Sequence, residues 1–207
     1  MLFRSMLVKE AIKITGSMTR TKKMPGLSYS LPAWACKTGA KLRLVPGTPC
    51  HGCYALKGRY RFRNVQDALE RRYQAAMTNS QWVFGMVYLI QSSKKDVFRW
   101  HDSGDIQSKE HLKRIFQVCE LTPEVRHWLP TREAGILSTI DAQSVPDNLI
   151  IRLSATKVDG PAPKSWPWTS TVVTAEASCP APKQDNQCKD CRACWDKEVQ
   201  NVSYGKH

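Results

Sequence analysis

The sequence predicts an α/β fold: a small or partial parallel (β/α) barrel-like domain followed by a Cys-rich metal-binding segment. Three observations predict it. Short β-like runs alternate with helical patterns through the middle of the chain, which favours a parallel sheet joined by helices. Each run leads into polar groups, as strands do where a site forms at their carboxyl ends. Seven of the eight cysteines fall into two groups, one on each side of the alternating region.

Residues 1–30 are basic and weakly patterned and read as an arm with one short helix. The stretch 31–64 carries Pro, Gly and three cysteines and reads as irregular and metal-stapled. It opens an α/β domain expected over 31–176, with a Cys-rich tail over 177–207. In NVQDALERRYQAAM, Val65, Leu69, Tyr73 and Ala76 share one helical face, with Asn64 as the expected N-cap. Asn79-Ser80 ends that helix and starts a second through QWVFGMVYLIQSS. Ser108 caps a third, KEHLKRIFQVCEL, where Leu112, Ile115, Phe116 and Cys119 repeat at helical spacing, so Cys119 reads as core. The strands are expected at 97–100, 126–130, 148–155 and 170–176. DGPAPKSWPW is a Pro-rich loop, and Trp166 and Trp168 within it are expected to be buried or exposed on that loop.

A hydrophobic fraction of 42% and a charged fraction of 24% are those of a soluble globular chain of one domain. No apolar run is long enough to span a bilayer. Arg4, Lys9 and Glu10 interrupt the first segment, which therefore lacks a signal-peptide pattern. A cytoplasmic location, in the host cell, with reduced cysteines is the expectation. The formal net charge of +13 points to a polyanionic partner, nucleic acid first, with DNA ahead of RNA.

The late cysteines, Cys179, Cys188, Cys191 and Cys194, are spaced x8, x2 and x2. Two-residue spacers let one loop wrap three thiolates around a metal centre. This set resembles a ferredoxin arrangement, with Cys179-Pro180 placed before the trio instead of after it. A 4Fe–4S cluster is favoured, with zinc as the alternative and His207 as a substitute ligand. The early group is Cys36, Cys50 and Cys53, spaced x13 and x2. Three thiolates hold a 4Fe–4S cluster with one iron open to a substrate or cofactor, and His51 is a further candidate ligand. The alternative is three ordinary thiols in a loop.

His101 and Asp102, with Asp105 beyond them in HDSGD, offer an imidazole and two carboxylates at a strand end. They are the candidates for proton transfer or covalent catalysis, and Gly104 permits the tight turn that presents them. Asp105 or Ser108 instead caps the next helix if the turn is only structural. Arg132 and Glu133 are candidate substrate-binding residues, the guanidinium fork suiting a phosphate. In KGRYRFR, Lys57, Arg59, Arg61 and Arg63 alternate with Tyr60 and Phe62. The basic groups suit phosphates, and the aromatics either stack on bases or, in an extended segment, turn inward as core.

CHGCYALKGRYRF, RWHDSGD and CKDCRACW together resemble the bacteriophage gene product 88 family, from about Leu31 to His207. That resemblance implies phage origin more than an activity. The C-x2-C-Tyr-Ala run is also similar to phage radical-SAM-like proteins, which implies SAM as a further cofactor, although the x13 spacer departs from their C-x3-C-x2-C motif. Asp102-Ser103-Gly104 and Leu129-Pro130-Thr131-Arg132 more weakly resemble guanine transglycosylases that insert deazaguanines into DNA. That likeness implies zinc on Cys188, Cys191, Cys194 and His207. Three readings follow: a metalloenzyme that modifies a base in nucleic acid, a base-exchanging transglycosylase, and a metal-stapled nucleic-acid-binding protein without catalysis.

Overall fold

The computed structural model describes residues 6–206. Met1 to Ser5 of the expected arm, and His207, lie outside the described residues. The elements in chain order are α1 (Val8–Thr15), β1 (Thr19–Arg20), β2 (Leu27–Tyr29), α2 (Lys37–Leu42), α3 (Arg63–Thr78), α4 (Trp82–Ser92), β3 (Val97–Trp100), α5 (Lys109–Glu120), β4 (Arg126–Thr131), α6 (Ala134–Leu137), β5 (Leu149–Val158), β6 (Thr169–Val173) and β7 (Asn201–Gly205). The seven strands form one sheet in chain order. β1 and β2 pair antiparallel, and each later neighbour pairs parallel. The fold is therefore mixed α/β on a mostly parallel sheet. Among the described residues no β1–β7 pairing closes it into a barrel. β1 and β2 come from the expected arm and β7 from the expected tail, so both segments add strands to the central sheet.

The middle of the chain follows its periodicity. Ser108 caps α5 by accepting from His111 N at 3.1 Å. The start of α3 differs from expectation. Phe62 is its N-cap, with no side-chain cap bond, and Asn64 lies inside the helix. The cause is local: the turn at Gly58–Arg61 delivers Phe62 in extended backbone, so helical geometry begins at Arg63. Asn79 does end α3, its Oδ1 accepting from Gln81 N at 2.9 Å.

The two faces of the sheet bury different things. Tyr29, Phe98, Trp100, Leu129, Ile151 and Leu153 pack against the apolar sides of α3, α4 and α5. The alternate positions Val97, Trp128 and Ile150 pack against Trp195 of the late segment. The Tyr29 hydroxyl lies between the carbonyls of Thr15 (2.6 Å) and Arg72 (2.8 Å) and accepts from Trp82 Nε1 (3.0 Å). One phenol thus ties α1, α3 and α4 to β2. Trp166 is buried, donating to Ile151 O at 2.8 Å, and half-buried Trp168 donates to Lys197 O at 2.9 Å. No helix of the described residues is long and apolar enough to cross a membrane.

Three histidines are shut inside. His101 ends β3 in the left-handed region (φ 57°) with Nδ1 3.2 Å from Tyr29 O, and its ring lies 5.5 Å from that of His111. His127 stacks on Trp100 and meets Thr122 Oγ1 at 2.9 Å. Burial lowers His101 and His127 to about 3 and lowers His111 as well. A histidine held neutral in the native state contributes stability that is complete above its unfolded pKa near 6.5 and is lost as pH falls towards the folded value. Asp105, raised by burial to about 6, opposes this below pH 6, but one carboxyl is set against three imidazoles. Urea midpoints measured at pH 7, 5.5 and 4.5 should fall with pH, by on the order of 1 kcal/mol per unit for each histidine. A flat profile over that window would contradict the neutral assignment.

Candidate metal and nucleic-acid site

The loops at the carboxyl ends of β2, β3 and β4 meet. Leu31 N donates to Ser103 O, and Ser103 Oγ donates to Leu31 O, both at 2.9 Å. Gly104 sits in this contact at φ 78°, where a Cβ would lie 2.5 Å from the Leu31 side chain and 2.7 Å from its carbonyl oxygen. Only glycine fits there.

Two buried carboxylates organise the shelf. Asp105 Oδ1 accepts from Ile106 N (2.8 Å) and Thr131 Oγ1 (2.5 Å), and Oδ2 accepts from Arg132 N (2.9 Å). It joins the loop after β3 to the end of β4. Glu133 Oε1 accepts from Lys37 N (3.0 Å) and Thr38 N (2.8 Å), and Oε2 accepts from Thr38 Oγ1 (2.7 Å). Glu133 thus caps α2, the helix that begins directly after Cys36. Asp102 is different. It is half-buried, and its Oδ1 accepts from Ser28 Oγ at 3.2 Å. Its Oδ2 has no partner among the described residues, and its carbonyl accepts from the Tyr54 hydroxyl. His101, its neighbour in sequence, turns away into the core.

Cys36, Cys50 and Cys53 come together over this shelf. Burial pushes the Cys36 thiol up, and Asp105, Cys53, Cys50 and Glu133 push it further. Burial also raises Cys50, while Arg132 beside it pulls the other way. A Cβ on Gly39 would lie 2.9 Å from Cys36 Cβ, 3.7 Å from Cys36 Sγ and 3.8 Å from Cys50 Sγ, so glycine lets α2 pack closely against both cysteines. His51 is exposed, its Nδ1 3.1 Å from Arg43 O. Arg132 Nε donates to Ala155 O at 3.3 Å. All eight cysteines are free. Among the described residues no group of three or more His, Cys, Asp or Glu is already arranged to hold a metal ion.

The segments that carry the trio are basic and rich in exposed aromatics. Residues 11–66 contain 11 Lys and Arg and no Asp or Glu. KGRYRFR is not extended: it forms a 3-10 turn at Gly58–Arg61 and then enters α3. Lys57, Arg59, Arg61 and Arg63 are all exposed. Phe62 is exposed too, at 59%, with Trp34 at 56% and Tyr54 at 57%. Inward packing of Phe62, the outcome an extended segment would give, does not occur. Tyr60 is half-buried, its ring 5.9 Å from Tyr54 and edge-on to it.

The late cysteines gather on the opposite face of the sheet. Cys188 is raised by burial and then by Cys179 and Cys191, and burial lifts Cys194 to about 11. Cys194 Sγ lies 3.1 Å from the Tyr204 hydroxyl. Arg152 of β5 is fully buried and donates to the carbonyls of Cys194 (3.1 Å), Ala193 (2.8 Å), Asp196 (2.9 Å), Val199 (2.8 Å), Gln200 (3.3 Å) and Thr169 (3.3 Å). The proposed ligand His207 lies outside the described residues.

Three residues that shape the surroundings of the cysteines, Arg152, Gly39 and Tyr54, are not singled out by the sequence. Arg152 had a signal, a lone charge in the apolar run LIIRL. Gly39 and Tyr54 had none beyond their closeness to cysteines. Glu133→Ala should strand the first amides of α2 and lower stability by about 1–3 kcal/mol, with Glu133→Gln recovering part of the loss. Guanidinium denaturation checks this, and a change inside about 0.5 kcal/mol would mean that the cap is unimportant.

Comparison with curated proteins gives no match, and comparison with solved structures gives none. The family model described as Gene product 88 matches residues 5–165. That span covers well over half of the chain, and the protein belongs to the Gene product 88 family.

Proposed function

We propose that the protein is a metalloenzyme that modifies a base in nucleic acid, with an iron–sulfur cluster held by Cys36, Cys50 and Cys53. The observation that carries this reading is the convergence of three thiols, and only three, at the carboxyl ends of parallel strands, on segments that are basic and rich in exposed aromatics. Three cysteine ligands, two of them in a C-x2-C pair, suit a cluster that keeps one iron open, and the thiols of Cys36 and Cys50 both lie near Gly39. When bound, a cluster with three protein ligands supplies an open iron that takes a substrate or a cosubstrate such as SAM and passes it an electron. The sequential order of the parallel strands supports the partial-barrel reading.

The chain's own residues then divide the work. Glu133 and Asp105 hold the loops of the trio and the shelf in place. Arg132, beside Cys50, offers its guanidinium to an anionic group of the bound molecule. Asp102, with Oδ2 free, is positioned to accept or return a proton. Lys57, Arg59, Arg61 and Arg63 neutralise phosphates while Trp34, Tyr54 and Phe62 stack on bases. His101 supports the turn from within the core. DNA is the first substrate to test, and the host cytoplasm, where thiols stay reduced, is the proposed location.

A base-exchange reading keeps one observation in its favour: Asp102 is the strand-end carboxylate with a free oxygen, as a covalent nucleophile requires. The two readings separate on metal. Full-length protein purified anaerobically should be brown, with iron and acid-labile sulfide. Cys50→Ser and Gly39→Leu should each remove iron and sulfide assigned to the trio. Colourless protein with stoichiometric zinc, and guanine exchange abolished by Asp102→Ala, would sink the cluster reading. Binding to DNA should weaken as salt rises, and each of Arg59→Ala, Arg61→Ala and Arg63→Ala should reduce the slope of log K against log salt by about 1 where a phosphate contact is lost. Salt-independent binding would remove nucleic acid as the substrate. Salt-dependent binding without turnover in any metal state would leave a nucleic-acid-binding protein.

A further inference from the structure

We infer that Cys179, Cys188, Cys191 and Cys194 hold a second metal centre, ligated by thiolates alone, whose negative charge neutralises the buried guanidinium groups of Arg99 and Arg152. The inference does not depend on the early trio being loaded.

Charge balance carries it. Arg152 has no exposure and Arg99 is half-buried, and both project on the sheet face that the late segment covers. The partners of Arg152 are six neutral carbonyls, which satisfy its N–H groups without cancelling its charge. Arg99 has less. It lies over the Trp128 ring at 4.5 Å, Nη1 approaches Met24 Sδ at 3.5 Å, and Nε is buried without a partner. The ion pairs among the described residues are Arg126–Asp96, Lys183–Glu176 and Lys197–Asp147, none of which involves either residue. Asp196 acts on Arg152 and Asp102 acts on Arg99, each from beyond ion-pair distance. A buried guanidinium with a half-buried one on the same face favours an anion nearby, because burying a cation without one is unfavourable.

Tyr54 also acts on Arg99, and the polar groups that act on both guanidinium groups are Tyr204 and Cys194. Four neutral thiols supply no charge. Four thiolates around zinc, or around an oxidised 4Fe–4S core, carry a net charge of about −2, which matches two arginines. The Tyr204 hydroxyl, 3.1 Å from Cys194 Sγ, then becomes the donor to a metal-bound thiolate, since a thiolate only accepts.

The backbone is arranged to hold the four thiols from independent anchors. Cys179 N donates to Ser203 O of β7 at 3.0 Å, and Cys188 N donates to Lys23 O, ahead of β2, at 2.9 Å. Cys191 N closes the turn on Cys188 O at 2.9 Å, and Arg152 grips the Cys194 carbonyl. Ligands held by three separate anchors, with Cys191 fixed through the turn at Cys188, fit a site built to be closed, without an open position for chemistry.

The test uses anaerobically purified full-length protein. Cys50→Ser should retain one metal centre, either zinc or iron with sulfide, and Cys191→Ser should lose it. In unmodified protein, mass spectrometry after brief alkylation should find the four late cysteines protected until a chelator or acid releases the metal. Arg99→Met removes a charge with almost no hydrogen bonds, so a purely packing role predicts no effect on metal retention. The expected result is release from the Cys50→Ser background at about tenfold lower chelator concentration. A metal-free Cys50→Ser protein, or late cysteines that alkylate freely without chelator, would overturn the second centre. An unchanged chelator midpoint in Arg99→Met would overturn the neutralising role of the arginines.

Discussion

A single guanidinium, that of Arg152, fastens the two halves of the molecule together. It rises from the middle of β5 on the side of the sheet covered by the late segment, opposite α3, α4 and α5. Six carbonyls converge on it, five of them from residues 193–200. A loop with several inward-pointing carbonyls is normally a poor cover for a sheet, because each buried acceptor needs a donor. Here one side chain satisfies the set. The loop can then lower Trp195 onto Val97, Trp128 and Ile150, with Trp195 Nε1 donating to Phe98 O at 2.8 Å. β7 follows directly and completes the sheet beside β6. Without that anchor, the late cysteines, the second core and the edge strand lose their common support.

The early site depends on a similar economy at the strand ends. Neither Asp105 nor Glu133 is free to meet a ligand, yet both determine what a ligand meets. Asp105 locks the loop after β3 to the start of the loop after β4. Glu133 then reaches from that second loop to the helix that presents Cys36. The thiols therefore rest on the parallel strands through two carboxylates. Asp102 and Arg132, each within three residues of one of those buried acids, are only half-buried. Rigid support beneath and unsatisfied groups above is the division that a binding site needs.

The parts of this arrangement that were legible in sequence are those set by local periodicity. α3, α4 and α5 bury periodic stripes, and β3 to β6 coincide with runs rich in apolar and β-branched residues. β1, β2 and β7 have no such run, and they pair only because neighbouring strands are already in place. α2 contains Gly39 and six residues in all, and its cap comes from Glu133, 95 residues away from Thr38. Nothing local announces it. The polar ends of β3 and β4 do meet in one place, but sequence could not tell a carboxylate that ties the loops together, as Asp105 does, from one that keeps a free oxygen, as Asp102 does. KGRYRFR misled through its alternation, because positive φ at Gly58 turns the chain before an extended run can form. Cysteine spacing grouped the thiols, while their gathering in space depends on contacts between distant parts of the chain.

The bond between Trp195 and Phe98 spans 97 residues, and that separation bears on how the protein is made. During synthesis, β3 to β5 leave the ribosome long before the segment that will cover their second face. Over that interval Val97, Trp128 and Ile150 form a bare apolar surface with Arg152 in its midst. A charge planted in such a surface discourages premature association with other chains, as an inward-pointing lysine does on an exposed strand edge. The residue that later draws the cover down thus acts as a gatekeeper while the cover is awaited. High sequence separation of this kind also slows folding, so a protective charge at this position has time in which to matter.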